Sequence, residues 1–124
     1  MRNWAAEELD QIRAADELEI AALRPDGTLR PATTIWVVRV GDDLYARSYR
    51  GRGGGWLRSV LRRPEGRIRA GGLTREVAFQ EPDGADHDAI DHAYRTKYAR
   101  YGGRYVEPMV SPDATAATLR LLPR

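Results

Sequence analysis

The sequence predicts an α+β fold in which six mostly antiparallel strands close as a small barrel with flanking helices. Three observations carry this. Thr33-Thr34-Ile35-Trp36-Val37-Val38-Arg39-Val40 crowds β-branched and aromatic residues as a buried strand requires. Breaks at Gly41-Asp42-Asp43 and Gly71-Gly72 each separate two strand-like runs, and hairpins make a sheet antiparallel. The element order then reads helix, three strands, short helix, two strands, long helix, strand, for which a barrel is the economical closure. At 124 residues the chain is long enough for one core and too short for two, so residues 1–124 are expected to form a single domain.

Each element has a local reason. Asn3 is the expected N-cap of a helix from Trp4 to Ala14. Trp4, Ala5, Leu9, Ile12 and the stem of Arg13 lie near one face, and Glu7, Glu8 and Asp10 sit in the first turns, where the macrodipole favours them. Leu18 to Leu23 alternates as a strand with Leu18, Ile20 and Ala22 on one side. Arg24-Pro25-Asp26-Gly27 is a turn, and Leu29-Arg30-Pro31 leads into the strand Thr33–Val40. Leu44 to Tyr49 returns as its hairpin partner. Arg50-Gly51-Arg52-Gly53-Gly54-Gly55 then opens a short helix from Trp56, with Trp56, Val60 and Leu61 on its apolar side, which Pro64 ends. Arg67–Ala70 and Leu73–Gln80 form the second hairpin. Asp86 to Tyr101 reads as an amphipathic helix with Ile90, Ala93, Tyr94, Lys97, Tyr98 and Tyr101 inward, an Asp91–Arg95 pair at i,i+4, and Gly102 just past its end. A linker, Val106 to Asp113, leads to a last strand around Thr118–Leu122.

Composition narrows the function classes. A hydrophobic share of 42% with 31% charged residues describes an ordinary globular protein. No apolar run approaches the roughly 18 residues of a membrane span, and no secretory leader is legible, so a cytoplasmic protein is expected. With no cysteine, disulfides, thiolate catalysis and cysteine-ligated metals are excluded. The net charge of +2 conceals an asymmetry: residues 47–75 hold nine arginines against Glu65 alone, while the segments on either side are net acidic. Such a cluster attracts anions.

The cluster's centre is Arg47, Ser48, Arg50, Arg52 and the glycines 53–55. Guanidiniums, a hydroxyl and free backbone N–H groups at a helix start suit a phosphate. The stretch is neither a P-loop, since no Gly-Lys-Ser/Thr follows, nor a dinucleotide fingerprint, since it lies in no βαβ unit. A solvated basic loop is the competing reading. His87 and His92, with Asp88 at i,i−4 from His92, supply too few ligands for a metal site, so none is expected. Ser48, Ser59 and Ser111 lack a nucleophile-elbow context. Tyr94, Tyr98, Tyr101 and Tyr105 fall at helical spacing; Tyr94 and Tyr98 are the candidates for proton donation to a substrate. Aromatics are sparse in 47–75, which disfavours nucleic acid as the partner.

The stretches Arg24–Arg30, Thr33–Val38, Tyr45-Ala46-Arg47-Ser48 and Ala93–Tyr98 resemble the bacterial family known as domain of unknown function 2255. That family looks like a branch of the FMN-binding split-barrel superfamily, which implies a six-stranded split barrel and a homodimer. Within the superfamily the nearer likeness is to the deazaflavin-dependent nitroreductases. Arg30, Thr33-Thr34-Ile35, Ser48, Gly51 to Gly55, Trp56 and Pro64 follow their order. Thr34 departs where proline is expected, and so does Arg58-Ser59-Val60 where an Asn-Leu neighbourhood is expected. The resemblance implies FMN or a deazaflavin bound by Arg30, Thr33, Ile35, Arg47, Ser48, Arg50, Arg52, Gly54 and Trp56, with hydride passed to a small acceptor. The alternative is a cofactor-free barrel that binds an anionic small molecule, or catalyses a non-redox step, in the same cleft.

Overall fold

The computed structural model describes residues 3–124. Helix α1 (Ala6–Ala14) precedes strands β1 (Leu18–Ala22), β2 (Thr33–Ile35), β3 (Val37–Val40) and β4 (Asp43–Arg47). A 3₁₀ turn at Gly51–Gly53 leads into α2 (Gly55–Arg62), then β5 (Glu65–Ala70), β6 (Leu73–Gln80) and α3 (His87–Lys97). After a 3₁₀ turn at Ala99–Tyr101 come α4 (Gly103–Val106), a 3₁₀ turn at Glu107–Val110, α5 (Pro112–Thr115) and β7 (Thr118–Pro123).

Seven strands pair antiparallel in the order β2-β1-β5-β6-β7-β4-β3. The expected count was six, and the reason for the seventh lies in one run. Thr33–Val40 does not form a single strand. Its first part pairs with β1 (Ile20 opposite Thr33) and its second with β4 (Val37 opposite Ala46). The two ends of the sheet order, β2 and β3, are therefore consecutive in the chain with Trp36 alone between them. The sheet comes round on itself as a nearly closed barrel.

At Trp36 the chain changes partners, and the backbone there cannot complete its ladder. α3 supplies the missing bonds. The Val37 N–H donates to Tyr98 Oη at 3.1 Å, Tyr98 Oη donates to Asp16 O at 2.7 Å, and Lys97 Nζ donates to Val37 O at 2.8 Å. Trp36 lies flat on the Tyr98 ring, centroids 3.9 Å apart.

Alternation in the strands produces two apolar layers. Leu18, Ile20, Val37, Leu44, Ile68, Val77 and Leu121 fill the barrel together with Leu9 and Ile12 of α1 and Leu57 and Val60 of α2. Val38 and Tyr45, on the opposite face, pack under Ile90 and Tyr94 of α3 and Tyr98 at its C-cap, with Val106 and Met109. The second hairpin turns at Gly71-Gly72, both with positive φ (56° and 80°), a conformation glycine adopts without strain.

Several local expectations are revised. The N-cap of α1 is Ala5 rather than Asn3, and Glu8 reaches back to accept from the Ala5 N–H at 3.0 Å. The linker Val106–Asp113 is instead a run of short helical turns, nucleated by Pro108 and by Ser111, which caps α5 by accepting from Ala114 N. Asp91 does not pair with Arg95. It turns inward to Arg47, and Arg95 reaches Glu107 at 2.5 Å.

The bonds at Val37 make two measurable statements. Tyr98→Phe leaves a buried N–H unpaired and should cost about 1–3 kcal/mol in a denaturant melt. Burial lowers the Lys97 amine from its usual 10.5 to about 8. The folded chain then holds fewer protons than the unfolded one between roughly pH 8 and 10, so stability should rise with pH across that window. Above it the slope should reverse, because burial holds Tyr94 and Tyr98 protonated beyond the ordinary tyrosine range. Lys97→Met should flatten the rise in melts taken against pH.

Candidate functional site

β4 ends at Arg47, and the chain then turns to build one wall of a cleft. Gly51 N donates to Ser48 O at 3.0 Å and Gly54 N to Gly51 O at 3.1 Å, two tight turns that aim α2. The first helical bond of α2 runs from Arg58 N to Gly54 O. The N–H groups of Gly55, Trp56 and Leu57 therefore have no intrahelical acceptor, and the N-cap, Gly54, has no side chain to satisfy them. Gly54 is required by packing: a Cβ there would lie 2.3 Å from Ser48 Oγ.

The cleft encloses about 740 Å³. Its wall from the barrel is Thr33, Thr34, Ile35 and Trp36, from the loop Ser48, Tyr49, Arg50, Gly54, Gly55 and Trp56, and from the helical run after α3 Arg104, Tyr105, Pro108 and Met109. Thr33, Gly55 and Trp56 also border a smaller pocket of about 300 Å³, which holds Arg30 and Ser59. The Arg30 Nε is buried there with no hydrogen-bond partner. No Asp or Glu lines either cavity. A third depression lies beside Glu17, Glu19 and Arg69, where Arg69 pairs with Glu19.

Of the nine residues expected to bind a cofactor, Thr33, Ile35, Ser48, Arg50, Gly54 and Trp56 line the cleft, and Arg30 stands in the adjoining pocket. Two do not serve as expected. Arg47 borders the cleft but its guanidinium is wholly buried and engaged. It donates to Thr118 Oγ1 (3.0 Å), Asp91 Oδ1 (2.5 Å), Met109 O (3.1 Å) and His87 Nδ1 (3.2 Å). Its task is to tie β4, β7, α3 and the Met109 turn together. Arg52 pairs with Glu81 at 2.5 Å and with Ala116 O, away from the cleft.

Tyr94 and Tyr98 are fully buried and line no part of the cleft. Burial raises both phenols above the ordinary range, so neither is placed to donate a proton to a bound molecule. Among the described residues no three His, Asp or Glu side chains are grouped to hold a metal ion, and no helix is long and apolar enough to cross a membrane. Sequence reasoning missed Arg104, Tyr105, Pro108 and Met109 because it took most of their segment for linker. The one available signal was the Arg104-Tyr105 pair, which mirrors Tyr49-Arg50 across the cleft.

The buried pair and the exposed pair of this region predict opposite outcomes. Asp91→Ala strips the buried Arg47 of its counter-charge and should cost about 3 kcal/mol. Arg95→Ala breaks only the exposed pair with Glu107 and should cost about 0–1 kcal/mol. Chemical denaturation of the two variants checks the contrast.

Comparison with known proteins agrees with this architecture. An FAD-binding protein from Mesorhizobium loti superposes with a TM-score of 0.58 at 16% identity, over 99% of this chain and 92% of that one. An F420 reductase gives 0.55 at 20% identity, over 93% and 90%. The heme storage protein HutZ from Vibrio cholerae gives 0.62 at 14% identity, over 100% and 92%. At these identities the likeness establishes the fold alone. No curated protein matches the chain significantly. Residues 8–121 match the family described as uncharacterized protein conserved in bacteria, and the chain thus belongs to that family, DUF2255.

Proposed function

We propose that the cleft binds FMN or a deazaflavin and that the protein passes a hydride to a small acceptor, as a cytoplasmic homodimer. The observation that carries the reading is the buried, unpartnered Nε of Arg30 beside the open N-terminus of α2. A guanidinium and free N–H groups with no carboxylate nearby form an anion site, and a phosphate matches both. Ile35, Trp56 and Met109 offer apolar surface to a planar ring.

When bound, such a cofactor supplies the hydride chemistry itself. The chain's own residues would do the rest. Arg30 and the Gly55 and Trp56 N–H groups would hold the phosphate, Thr33 and Ser48 lie in the lining beside it, and the apolar residues would exclude water from the ring. The heme likeness carries less, since the lining contains no histidine. The competing reading, a cofactor-free barrel holding another anionic small molecule, uses the same donors.

Fluorescence titration separates the two. FMN or a deazaflavin should bind with a Kd on the order of micromolar or tighter. Arg30→Gln should weaken binding about tenfold or more, the worth of one charged hydrogen bond. Arg52→Gln should leave it unchanged. A folded protein that takes up neither cofactor overturns the redox reading in favour of the cofactor-free one.

A further inference from the structure

We infer that the cleft admits, as its second molecule, a planar carboxylate whose acid group pairs with Arg104 at the mouth. This deepens the reading above by naming the acceptor's class, and it rests on that reading only in calling the molecule an acceptor.

The first observation is charge. Among the described residues twelve arginines form ion pairs with carboxylates. Arg104 forms none among the described residues, although it lines a cavity, and Arg50 reaches only the hydroxyl of Tyr49. With no Asp or Glu in the lining, the mouth is uniformly cationic and attracts an anion. The planar fork of a guanidinium matches a carboxylate in two parallel hydrogen bonds.

The second observation is shape. Three large apolar side chains are exposed among the described residues, and two of them, Tyr49 (57%) and Tyr105 (59%), line this cleft. Each is the chain neighbour of one unpaired arginine: Tyr49-Arg50 on the loop side, Arg104-Tyr105 on the helical side. An aromatic face next to a guanidinium selects a flat molecule with an acid at its edge, because stacking and ion pairing are satisfied together. The phosphate donors lie elsewhere, at Arg30 and the start of α2, so a cofactor and this second molecule draw on different groups.

Calorimetric titration with 2-naphthoate, 2-naphthamide and 2-naphthyl phosphate tests the assignment, in protein with and without FMN. The acid should bind at least tenfold more tightly than the amide. Arg104→Gln should abolish that preference with the melting temperature unchanged, and Tyr105→Ala should weaken acid and amide alike. Equal binding of acid and amide, binding of neither, or a preference that survives Arg104→Gln overturns the proposal. So does tighter binding of the naphthyl phosphate that is lost in Arg30→Gln instead. A naphthoate preference in a protein that takes no FMN or deazaflavin upholds this assignment while overturning the cofactor reading; FMN uptake without the preference does the reverse.

Discussion

The bonds that α3 makes to Val37 are the constraint on which the barrel and its cleft depend. At Trp36 the chain leaves the β1 edge and joins the β4 edge, and no neighbouring strand can serve both sides of that step. A backbone N–H and C=O buried without partners would each carry the full desolvation cost. Tyr98 and Lys97 remove that cost from the end of a helix packed on the barrel, 61 and 60 positions along the chain. Because Trp36 both stacks on Tyr98 and lines the cleft, the same contact that seals the barrel also sets one wall of the binding site.

The opposite wall depends on a buried cation. Arg47 reaches the carbonyl of Met109, and so fixes the helical run that carries Arg104 and Tyr105 against the barrel. Its other partners come from β7 and α3, so four parts of the chain meet at one guanidinium. A lysine could not do this, since it lacks the fork that addresses several acceptors in fixed directions. The residue that looked most like a ligand-binding arginine thus works one layer behind the site, as a positioning group.

What the sequence revealed, and what it did not, follows from the range of the interactions involved. The turn at Gly71-Gly72 and the apolar stripe Ile90, Tyr94 and Tyr98 are local, and they were legible as turn chemistry and periodicity. The division of Thr33–Val40 was not, because β propensity is the same whichever edge a residue joins. Only the distant partners Ile20 and Ala46 tell the two halves apart. Asp91 was read against Arg95, its helical neighbour. The buried Arg47 took it instead, since an uncompensated cation in the interior costs far more than an exposed i,i+4 pair returns.

The arginine cluster shows the same limit and also its remedy. Nine arginines between 47 and 75 suggested an anion site by density alone. In the fold most of them are consumed: Arg67 by Glu76, Arg69 by Glu19, Arg75 by Glu8, Arg52 by Glu81 and Arg47 by Asp91. The acids that neutralise them come from outside the cluster, which is why the charge asymmetry along the chain does not persist in space. The guanidiniums that matter to a ligand are those the acids do not reach and a cavity does. Arg30, Arg50 and Arg104 meet both conditions, and two of the three lie outside the dense stretch. The location of an anion site here is decided by the pairing that the fold leaves undone.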